Sequence, residues 1–513
     1  MSLSAALPKG VTKAKFLRAV AEYRAIVGEE HVIVDVERLT PYTKLMIPED
    51  EARHQPSGVI APKSVEEIQR VLAVCNTYKI PVWTISTGRN FGYGSAAPAT
   101  AGQMVLDLRR MNRILDVDAE MCTALVEPGV TYQQLYDYIT EHNLPLWLSF
   151  PASGPIAGPV GNTLDRGMGY NRNGLHMNNF CGLEVVLADG QVVRTGMGGN
   201  PKSNSWQCYR WGYGPWTDGI FTQSNLGIVT KMGLWLMPAP PANMTFAAGF
   251  KDMDILAKGV DVTRRLMLNN VIENAGLGDS LYGLAMATRR SDLYKGPGAI
   301  PDEVLGKIYD SLGITPWTLI STIYGTEEQV ATNLRIAKDA LEAIGASFVT
   351  KAQTGDKHPG INHMHMQQTG KLSLTEFGVY NFRGGGGSAW FSPVIPAKGS
   401  ELVKSLRLSK AVLTEFGFDY LGGVIICGRH ADHVHDLLFD RTDPDEMKRA
   451  YACFQKLIKV HADEGYNLYR VNTAFMDQVA ETFGPAQRSL NKRLKKALDP
   501  NGILAPGKSG ITV

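Results

Sequence analysis

One stretch of the chain has residue types and spacing that suit the binding of an anion. Residues 86–94 read Ser-Thr-Gly-Arg-Asn-Phe-Gly-Tyr-Gly and follow the short apolar run 82–85, which is typical of a buried strand. Glycines and small polar side chains allow several backbone N–H groups to point inward, and such a nest of donors suits a pyrophosphate. The spacing is neither that of a Walker loop nor that of the Rossmann fingerprint. Taken alone, the stretch also fits a plain glycine-rich turn.

A second glycine-rich region, residues 153–169, shows no hydrophobic period. We therefore expect a long ordered loop there, and long loops inside compact domains are usually functional. A hairpin is predicted around Asp189-Gly190, between the apolar runs 183–187 and 191–194.

The elements that must position these loops alternate between strand and helix from Gly58 onward. Ser64, Thr131 and Thr326 each precede Glu or Gln by three residues, which is typical of a helix start. The proline-rich run 238–241 predicts a domain boundary. Beyond it we expect a mixed sheet with helices on one face, including helices near 398–416 and 443–464 and a final strand at 469–472. The turn-rich tail, residues 499–508, is expected to return to the first domain.

Composition excludes several classes of protein. The 513 residues carry 52 basic and 50 acidic side chains, so net charge indicates neither nucleic acid nor an anionic membrane as partner. No apolar run approaches the roughly 20 residues of a membrane span, and residues 1–16 lack the apolar core of a signal peptide. The six cysteines form no Cys-x-x-Cys pair, which favours buried free thiols over a disulfide framework.

Five separated runs resemble, in the same order, the vanillyl-alcohol-oxidase and p-cresol methylhydroxylase family of FAD enzymes. They are residues 85–98, 157–162, 383–388, 469–472 and 499–507. The resemblance implies an α+β, two-domain FAD-linked oxidase fold. In it, a FAD-binding domain would span 1–240 with the C-terminal return 475–513. A substrate-binding cap domain, with a mixed sheet and helices, would span 241–474.

The resemblance also implies which residues hold FAD. They are Ser86, Thr87, Gly88, Arg89, Asn90, Gly92, Gly158, Gly161, Asn162, Gly227, Ile228, Val229, Tyr380 and Lys508. Tyr380 matches a tyrosine joined to the flavin 8α carbon, whereas the oxidase branch uses a histidine at or near Ser388. No histidine lies between His365 and His430, which favours a tyrosyl link over a histidyl one. Without the resemblance, Tyr380 is simply an aromatic residue in a strand.

Lys508 matches an arginine near flavin N1, where a cation would stabilise the anionic reduced flavin. Lysine keeps the charge of that arginine but loses its fork of donors. The alternative interpretation is an exposed lysine in the tail.

By the same resemblance, Tyr93, Tyr469 and Arg470 bind the oxygen of a para-substituted phenol. Two hydroxyl donors and a guanidinium in a dry pocket favour phenolate over phenol. Phenolate would ease departure of a benzylic hydride to flavin N5, leaving a quinone methide that water can attack. Taken alone, a Tyr-Arg pair on a strand is more typical of a surface pair.

Two positions depart from the family pattern. Leu175 and Gly423 stand where acidic residues are expected in the substrate pocket, which leaves Glu376 and Asp436 as candidate bases for water addition. Because Gly423 also removes bulk, we expect a pocket for para-substituents larger than a methyl group, or for ring methoxy groups.

No metal site is expected, because no cysteine or acidic set with a known spacing accompanies His430, His433 and His435. If this segment is helical, His430 and His433 share a face, and a solvated or pocket-lining role is favoured.

The resemblance implies a homodimer of flavoprotein subunits that passes electrons to a c-type cytochrome. The alternatives are an oxygen-using oxidase of the same family and a flavin-binding protein without phenol chemistry. The compartment stays open, since the family partner is periplasmic while no signal peptide is seen.

Overall fold

The computed structural model describes residues 6–513, so the first five residues of the segment searched for a signal peptide lie outside it. None of the helices in the described range is long and apolar enough to cross a bilayer.

The N-terminal half contains two sheets and a short strand pair. The first sheet has the order β1-β2-β4-β3, with parallel pairs on both sides of β4. The second has the order β5-β6-β10-β8-β9, and β7 pairs with β11. The strands are β1 Val32–Ile33, β2 Gly58–Ile60, β3 Val82–Ile85, β4 Met104–Asp107, β5 Ile114–Asp118, β6 Thr123–Val126, β7 Leu146–Trp147, β8 Phe180–Val186, β9 Val192–Arg194, β10 Ile228–Trp235 and β11 Met237–Pro238.

Helices of this half cover the sheets. They are α1 Lys13–Val27, α2 Val36–Leu39, α3 Val65–Tyr78, α4 Tyr132–Glu141 and α5 Pro159–Leu164. The helix starts predicted in this half are confirmed. The hydroxyls of Ser64 and Thr131 each accept a hydrogen bond from the backbone N–H of the residue three positions further along. The predicted hairpin is confirmed by the antiparallel pair β8 and β9.

The C-terminal half is built on one large sheet with the order β15-β12-β14-β13-β18-β19-β16, and β17 pairs with β19. We call it the cap sheet. Its strands are β12 Ala242–Phe250, β13 Gly276–Asp279, β14 Trp317–Gly325, β15 Ser347–Thr350, β16 Gly387–Phe391, β17 Val394–Pro396, β18 Gly422–Ile426 and β19 His430–Phe439. All of these strand pairs are antiparallel, whereas a mixed sheet was expected in this half. Parallel pairs lie in the first sheet.

Helices α6, α13 and α14 contribute apolar side chains to the core of this half. The helices are α6 Met253–Leu268, α7 Ser280–Ala285, α8 Arg290–Leu293, α9 Asp302–Leu312, α10 Glu327–Glu342, α11 Lys351–Thr354, α12 Pro359–Gln368, α13 Gly399–Glu415, α14 Pro444–Asp463, α15 Met476–Thr482 and α16 Pro485–Leu498. The helices predicted near 398–416 and 443–464 are confirmed by α13 and α14.

The tail returns to the first sheet, as predicted. Val82 N–H donates to the Ile503 carbonyl at 2.8 Å, and Ala505 N–H donates to the Val82 carbonyl at 2.7 Å. A buried ion pair between Lys495 and Asp499, with 2.7 Å between nitrogen and oxygen, supports this return.

Two local predictions are wrong, and one segment that was considered as a possible helix is a strand. The region 153–169 is not all loop, because α5 begins at Pro159, a residue whose fixed φ suits the first helical turn. Residues 469–472 form no strand; only Leu468 forms a bridge, with Pro393. The histidine segment is strand β19 rather than helix, since it pairs with β16, β17 and β18.

Candidate active site

A cavity of about 990 Å³ lies between the glycine-rich segments and the cap sheet. Thirteen of the fourteen predicted cofactor residues line it. They are Ser86, Thr87, Gly88, Arg89, Asn90, Gly158, Gly161, Asn162, Gly227, Ile228, Val229, Tyr380 and Lys508. The two glycine-rich segments therefore meet at one site although about 70 residues separate them in the chain.

The remaining residue, Gly92, lies outside the lining. Its φ is +70°, and a Cβ there would clash with the indole of Trp390. Gly92 therefore allows a close approach between the loop and β16.

The cavity fits a large polar cofactor. A Cβ on Gly158 would lie 2.7 Å from Ser86 Oγ, and one on Gly161 would lie 2.9 Å from Ser86 Cβ, so only glycine permits this approach. Two cavity residues, Arg470 and Thr473, also hold buried polar atoms without a hydrogen-bond partner in the described chain. Unpaired buried donors are costly, and a polar ligand would satisfy them.

The predicted phenol-binding residues converge. The Arg470 guanidinium carbon lies 4.1 Å from the centroid of the Tyr93 ring, and the Tyr93 hydroxyl is 3.4 Å from Ser392 Oγ. Gln223 Nε2 donates to the Tyr469 carbonyl at 2.6 Å and so fixes the backbone there. Burial raises the pKa of Tyr93 and of Tyr469, so both hydroxyls stay protonated and can donate.

Asp165 is a charged residue of the site that our sequence analysis missed. Its carboxylate accepts from Lys508 Nζ at 2.6 Å and lies 4.0 Å from an Arg470 nitrogen. Burial alone would raise the pKa of Asp165, but Lys508 and Arg470 hold it below its ordinary value. Because Asp165 is the one acidic residue in the region 153–169, that isolation was an available signal. The pairing also excludes the exposed-tail interpretation of Lys508.

Asn90 links the first glycine-rich segment to these charges. Its side-chain oxygen Oδ1 accepts a hydrogen bond from the Arg470 guanidinium, and its side-chain nitrogen Nδ2 is 3.5 Å from the Asp165 carboxylate. Asn90 therefore helps to orient Arg470 over the Tyr93 ring.

Glu376 is surrounded by donors that the sequence did not indicate. Tyr170 donates to its two oxygens at 3.0 and 3.2 Å, Gln367 donates at 2.9 Å and Tyr282 at 3.4 Å. The Glu376 side chain lines the cavity, so these donors hold a carboxylate in a fixed place there.

Asp436 lies just behind the cavity lining and has a different environment. It is fully buried, and the Ser388 hydroxyl donates to its carboxylate at 2.8 Å. Burial raises the pKa of Asp436 to about 7. Burial is the main cause that raises the pKa of Tyr380, and the charge of Asp436 is the second. The Tyr380 hydroxyl also forms a hydrogen bond with the Trp390 side chain. Ser388 thus supports a carboxyl group at the position where the oxidase branch would carry its histidine.

The two positions that depart from the family pattern have different surroundings. Gly423, on β18, lines the cavity. Leu175 does not line the cavity, although its backbone bridges to Met168, which does.

The histidine segment brings together groups that the spacing argument excluded. His430 Nε2 lies 3.6 Å, and Cys427 Sγ 3.9 Å, from one carboxylate oxygen of Asp432. A cysteine and an acidic residue therefore do accompany His430, as potential metal ligands. His433 and His435 belong to the opposite face of β19, where their hydrogen bonds to Ser405, Tyr420 and Ser409 place them in the core.

Comparison with known proteins gives a consistent result. Residues 56–196 match the FAD binding domain model, and residues 311–509 match the model of the C-terminal domain of FAD linked oxidases. The chain is 49% identical to the 4-cresol dehydrogenase [hydroxylating] flavoprotein subunit of Pseudomonas putida, over 99% of this chain and 98% of that one.

Two similar solved structures each align over 99% of this chain and 99% of their own chain. One is p-cresol methylhydroxylase with substrate bound, at a TM-score of 0.97 and 49% identity. The other is the isoeugenol complex of 4-ethylphenol oxidase from Gulosibacter chungangensis, at a TM-score of 0.95 and 35% identity.

Proposed function

Because the chain belongs to the vanillyl-alcohol-oxidase and p-cresol methylhydroxylase family and is an FAD-dependent oxidoreductase, we propose that it oxidises para-alkylphenols at the benzylic carbon and adds water there. The observation that carries the proposal is the placement of Arg470 over the Tyr93 ring, at 4.1 Å, in a cavity that Tyr469 also lines. A cation and two protonated hydroxyl groups form a site for a phenolate oxygen.

The chain's own residues prepare the substrate for this reaction. Arg470, Tyr93 and Tyr469 lower the pKa of the bound phenol, because each interacts more strongly with the phenolate. FAD, held by the glycine-rich segments and Lys508, supplies a hydride acceptor when bound. Loss of hydride from the phenolate gives a quinone methide, and a carboxylate takes one proton from the water that attacks it. Glu376 and Asp436 are the two candidates for that carboxylate.

We propose that FAD is bound covalently through Tyr380, which is partly buried and lines the cavity. Tyr380→Phe should then release its flavin into the supernatant on acid precipitation, whereas the wild type and the Tyr420→Phe control retain theirs. The variant should also show a lower flavin reduction potential. Flavin that stays with Tyr380→Phe, or leaves the wild type, would exclude this linkage.

A c-type cytochrome is the proposed electron acceptor, and oxygen is the alternative. The name of the Pseudomonas relative, a dehydrogenase flavoprotein subunit, supports the first, and the likeness to 4-ethylphenol oxidase supports the second. The serine at position 388 favours the first, since a histidyl flavin link of the oxidase branch is impossible there.

A single titration tests both the reaction and the acceptor. A 4-alkylphenol is added anaerobically while flavin absorbance is followed, and air is then admitted. Absence of bleaching would exclude phenol oxidation. Prompt recovery of colour in air would identify an oxidase, while bleaching that persists in air and reverses with a c-type cytochrome would identify a dehydrogenase.

We propose a homodimer of flavoprotein subunits as the assembly. Four exposed aromatic side chains between residues 209 and 216 offer a surface of the kind through which subunits associate. They are Tyr209, Trp211, Tyr213 and Trp216. Light scattering of the purified chain distinguishes a dimer from a monomer.

Gly423 supports a pocket for large or methoxylated para-alkylphenols, because no side chain at this position occupies the cavity. The chain should therefore oxidise 4-propylguaiacol with a kcat/KM at least equal to that for p-cresol. Steady-state kinetics with both substrates gives the comparison, and a clear preference for p-cresol would contradict this proposal.

A further inference from the structure

The cavity continues far beyond the phenol-binding residues, across the cap sheet. Five neighbouring strands, β18, β13, β14, β12 and β15, all contribute residues to its lining. Because neighbouring strands lie about 4.8 Å apart, this extension measures about 19 Å along the sheet. A p-cresol molecule needs no space of that length.

The floor of the extension is one row of residues in register across these five strands and the adjacent strand β19. Each residue pairs directly with the next one on the neighbouring strand. From the sheet edge towards the phenol site, the row is Ser347, Gly249, Thr318, Gly278, Gly423 and Val434. Three of the six are glycines, so the floor carries little side-chain volume in the middle of a sheet, where β-branched and aromatic residues are usual.

The walls above this row are largely apolar, with Asp279, His358 and His363 as polar exceptions, and the far end opens to solvent. The parallel row on the same face includes Ala247, Ile320 and Val349, and Met364 of α12 approaches from above. At the far end the cavity reaches Leu312, whose side chain is exposed. The aliphatic part of this lining suits an alkyl or aryl chain.

The near end of the extension lies at the reacting carbon of the proposed substrate. Val434, the last residue of the row, lies on the same face of β19 as Asp436, a candidate base for water addition at that carbon, so a para-substituent would leave the phenol site in this direction. We infer that the extension is a channel for the para-substituent and that the chain oxidises 4-alkylphenols with long apolar chains. This inference rests on the proposed function and adds to it the substrate class.

Gly278 and Thr318 are the specificity-determining residues of this channel. A Cβ on Gly278 would meet no atom within 4 Å, so a side chain there enters open space without a clash. By contrast, a Cβ on Gly423 would lie 2.6 Å from the Leu277 carbonyl oxygen, and substitution there would disturb the sheet itself. Thr318 pairs with Gly278 one strand further from the phenol site.

The test compares 4-ethylphenol with 4-heptylphenol in the wild type and two variants. Wild type should oxidise both, with kcat/KM values within about tenfold of each other. Gly278→Leu should lower kcat/KM for 4-heptylphenol by about tenfold or more and change that for 4-ethylphenol by less than about twofold. Thr318→Phe should cause the same loss of kcat/KM only with an alkyl chain longer than the shortest one that Gly278→Leu rejects. Gly306→Leu, which adds the same side chain to α9 at a glycine with open space outside the lining, should affect neither substrate.

The outcomes separate this inference from the proposed function. Oxidation of 4-ethylphenol together with rejection of 4-heptylphenol by the wild type would overturn the channel and leave the proposed function in place. An equal effect of Gly278→Leu on both substrates would also overturn it. Oxidation of neither phenol would overturn the proposed function and the channel with it. A crystal structure with 4-heptylphenol should show the alkyl chain over Gly278, and a chain lying elsewhere would contradict the inference.

Discussion

Replacing Arg470 with alanine is expected to lower kcat/KM for a 4-alkylphenol by about 10²- to 10³-fold while FAD stays bound. Arg470 brings the positive charge to the ring of Tyr93, and its side chain is largely buried, with 12% exposed. In such a site a charge acts on the bound phenol with little screening by solvent. Alanine removes that charge, so the phenol stays protonated and its hydride leaves far more slowly.

Lysine at this position should recover only part of the activity. It keeps a charge but loses the planar fork, which here both stacks on Tyr93 and donates to Asn90. Asp165 retains Lys508 as a partner at 2.6 Å in either variant, so the fold should tolerate the change. The exposed Arg335, paired with Asp339 on α10, provides a matched control as Arg335→Ala.

A binding measurement separates this role from a structural one. A non-reactive phenol such as 4-hydroxybenzaldehyde absorbs at longer wavelength as the phenolate. Wild type and Arg335→Ala should bind it as phenolate below its ordinary pKa, and Arg470→Ala should not. If Arg470→Ala binds the phenolate as wild type does and turns over normally, the phenol-binding site has been assigned wrongly.

The sequence predicted the parts of this site that depend on local patterns. The helix starts at Ser64 and Thr131, the hairpin at Asp189-Gly190 and the return of the tail all rest on short-range signals, and the structure confirms them. The sequence also identified Tyr93, Tyr469 and Arg470, which the fold brings to one cavity from positions more than 370 residues apart.

The features of the site that the sequence could not predict are contacts that only the three-dimensional fold creates. Tyr170 and Tyr282 donate to Glu376 from segments 206 and 94 residues away, and no local pattern marks them, or the nearer Gln367, as its partners. The channel floor is a further case. Gly249, Gly278 and Gly423 look like isolated glycines in the chain, and only the strand register places them in one row.

The helix α5 was missed for a local reason. Glycine and proline dominate residues 153–169, and these residues ordinarily indicate a loop. Here Pro159 stands at the first helical position, where its missing N–H costs nothing, and the helix ends after only six residues. A segment this short shows no helical hydrophobic period, so its glycine and proline content led to the prediction of a loop.

Replacing Asp436 with asparagine is expected to lower kcat by about 10²-fold and to remove its dependence on pH near neutrality. Burial raises the pKa of Asp436 to about 7, so in the wild type the base form, and with it kcat, should increase as the pH rises through about 7. Asparagine preserves the volume and can still accept from Ser388, but it cannot take a proton. Glu376, by contrast, is held by three donors and should affect substrate placement more than the pH profile.

The same substitution has a predicted sign in stability. Because the pKa of Asp436 is higher in the folded chain, it contributes stability that is complete below its ordinary pKa of 3.8 and lost as the pH rises through about 7. Asp436→Asn should therefore lose less stability than wild type between pH 5 and pH 8. Thermal unfolding at both pH values measures this difference.

Asp279→Asn is the matched control for both readouts. Asp279 is a partly buried carboxyl in the cavity lining, and its pKa is likewise raised to about 7 by burial. It caps α7 by accepting from Leu281 N–H at 3.2 Å, a role that asparagine can keep. Its substitution should change the pH dependence of stability but leave the pH profile of kcat unaltered. If Asp436→Asn keeps the wild-type profile while Glu376→Gln abolishes it, the base for water addition is Glu376. The distinction rests on Asp436, since burial raises its pKa to about 7 and so places its proton exchange near neutral pH.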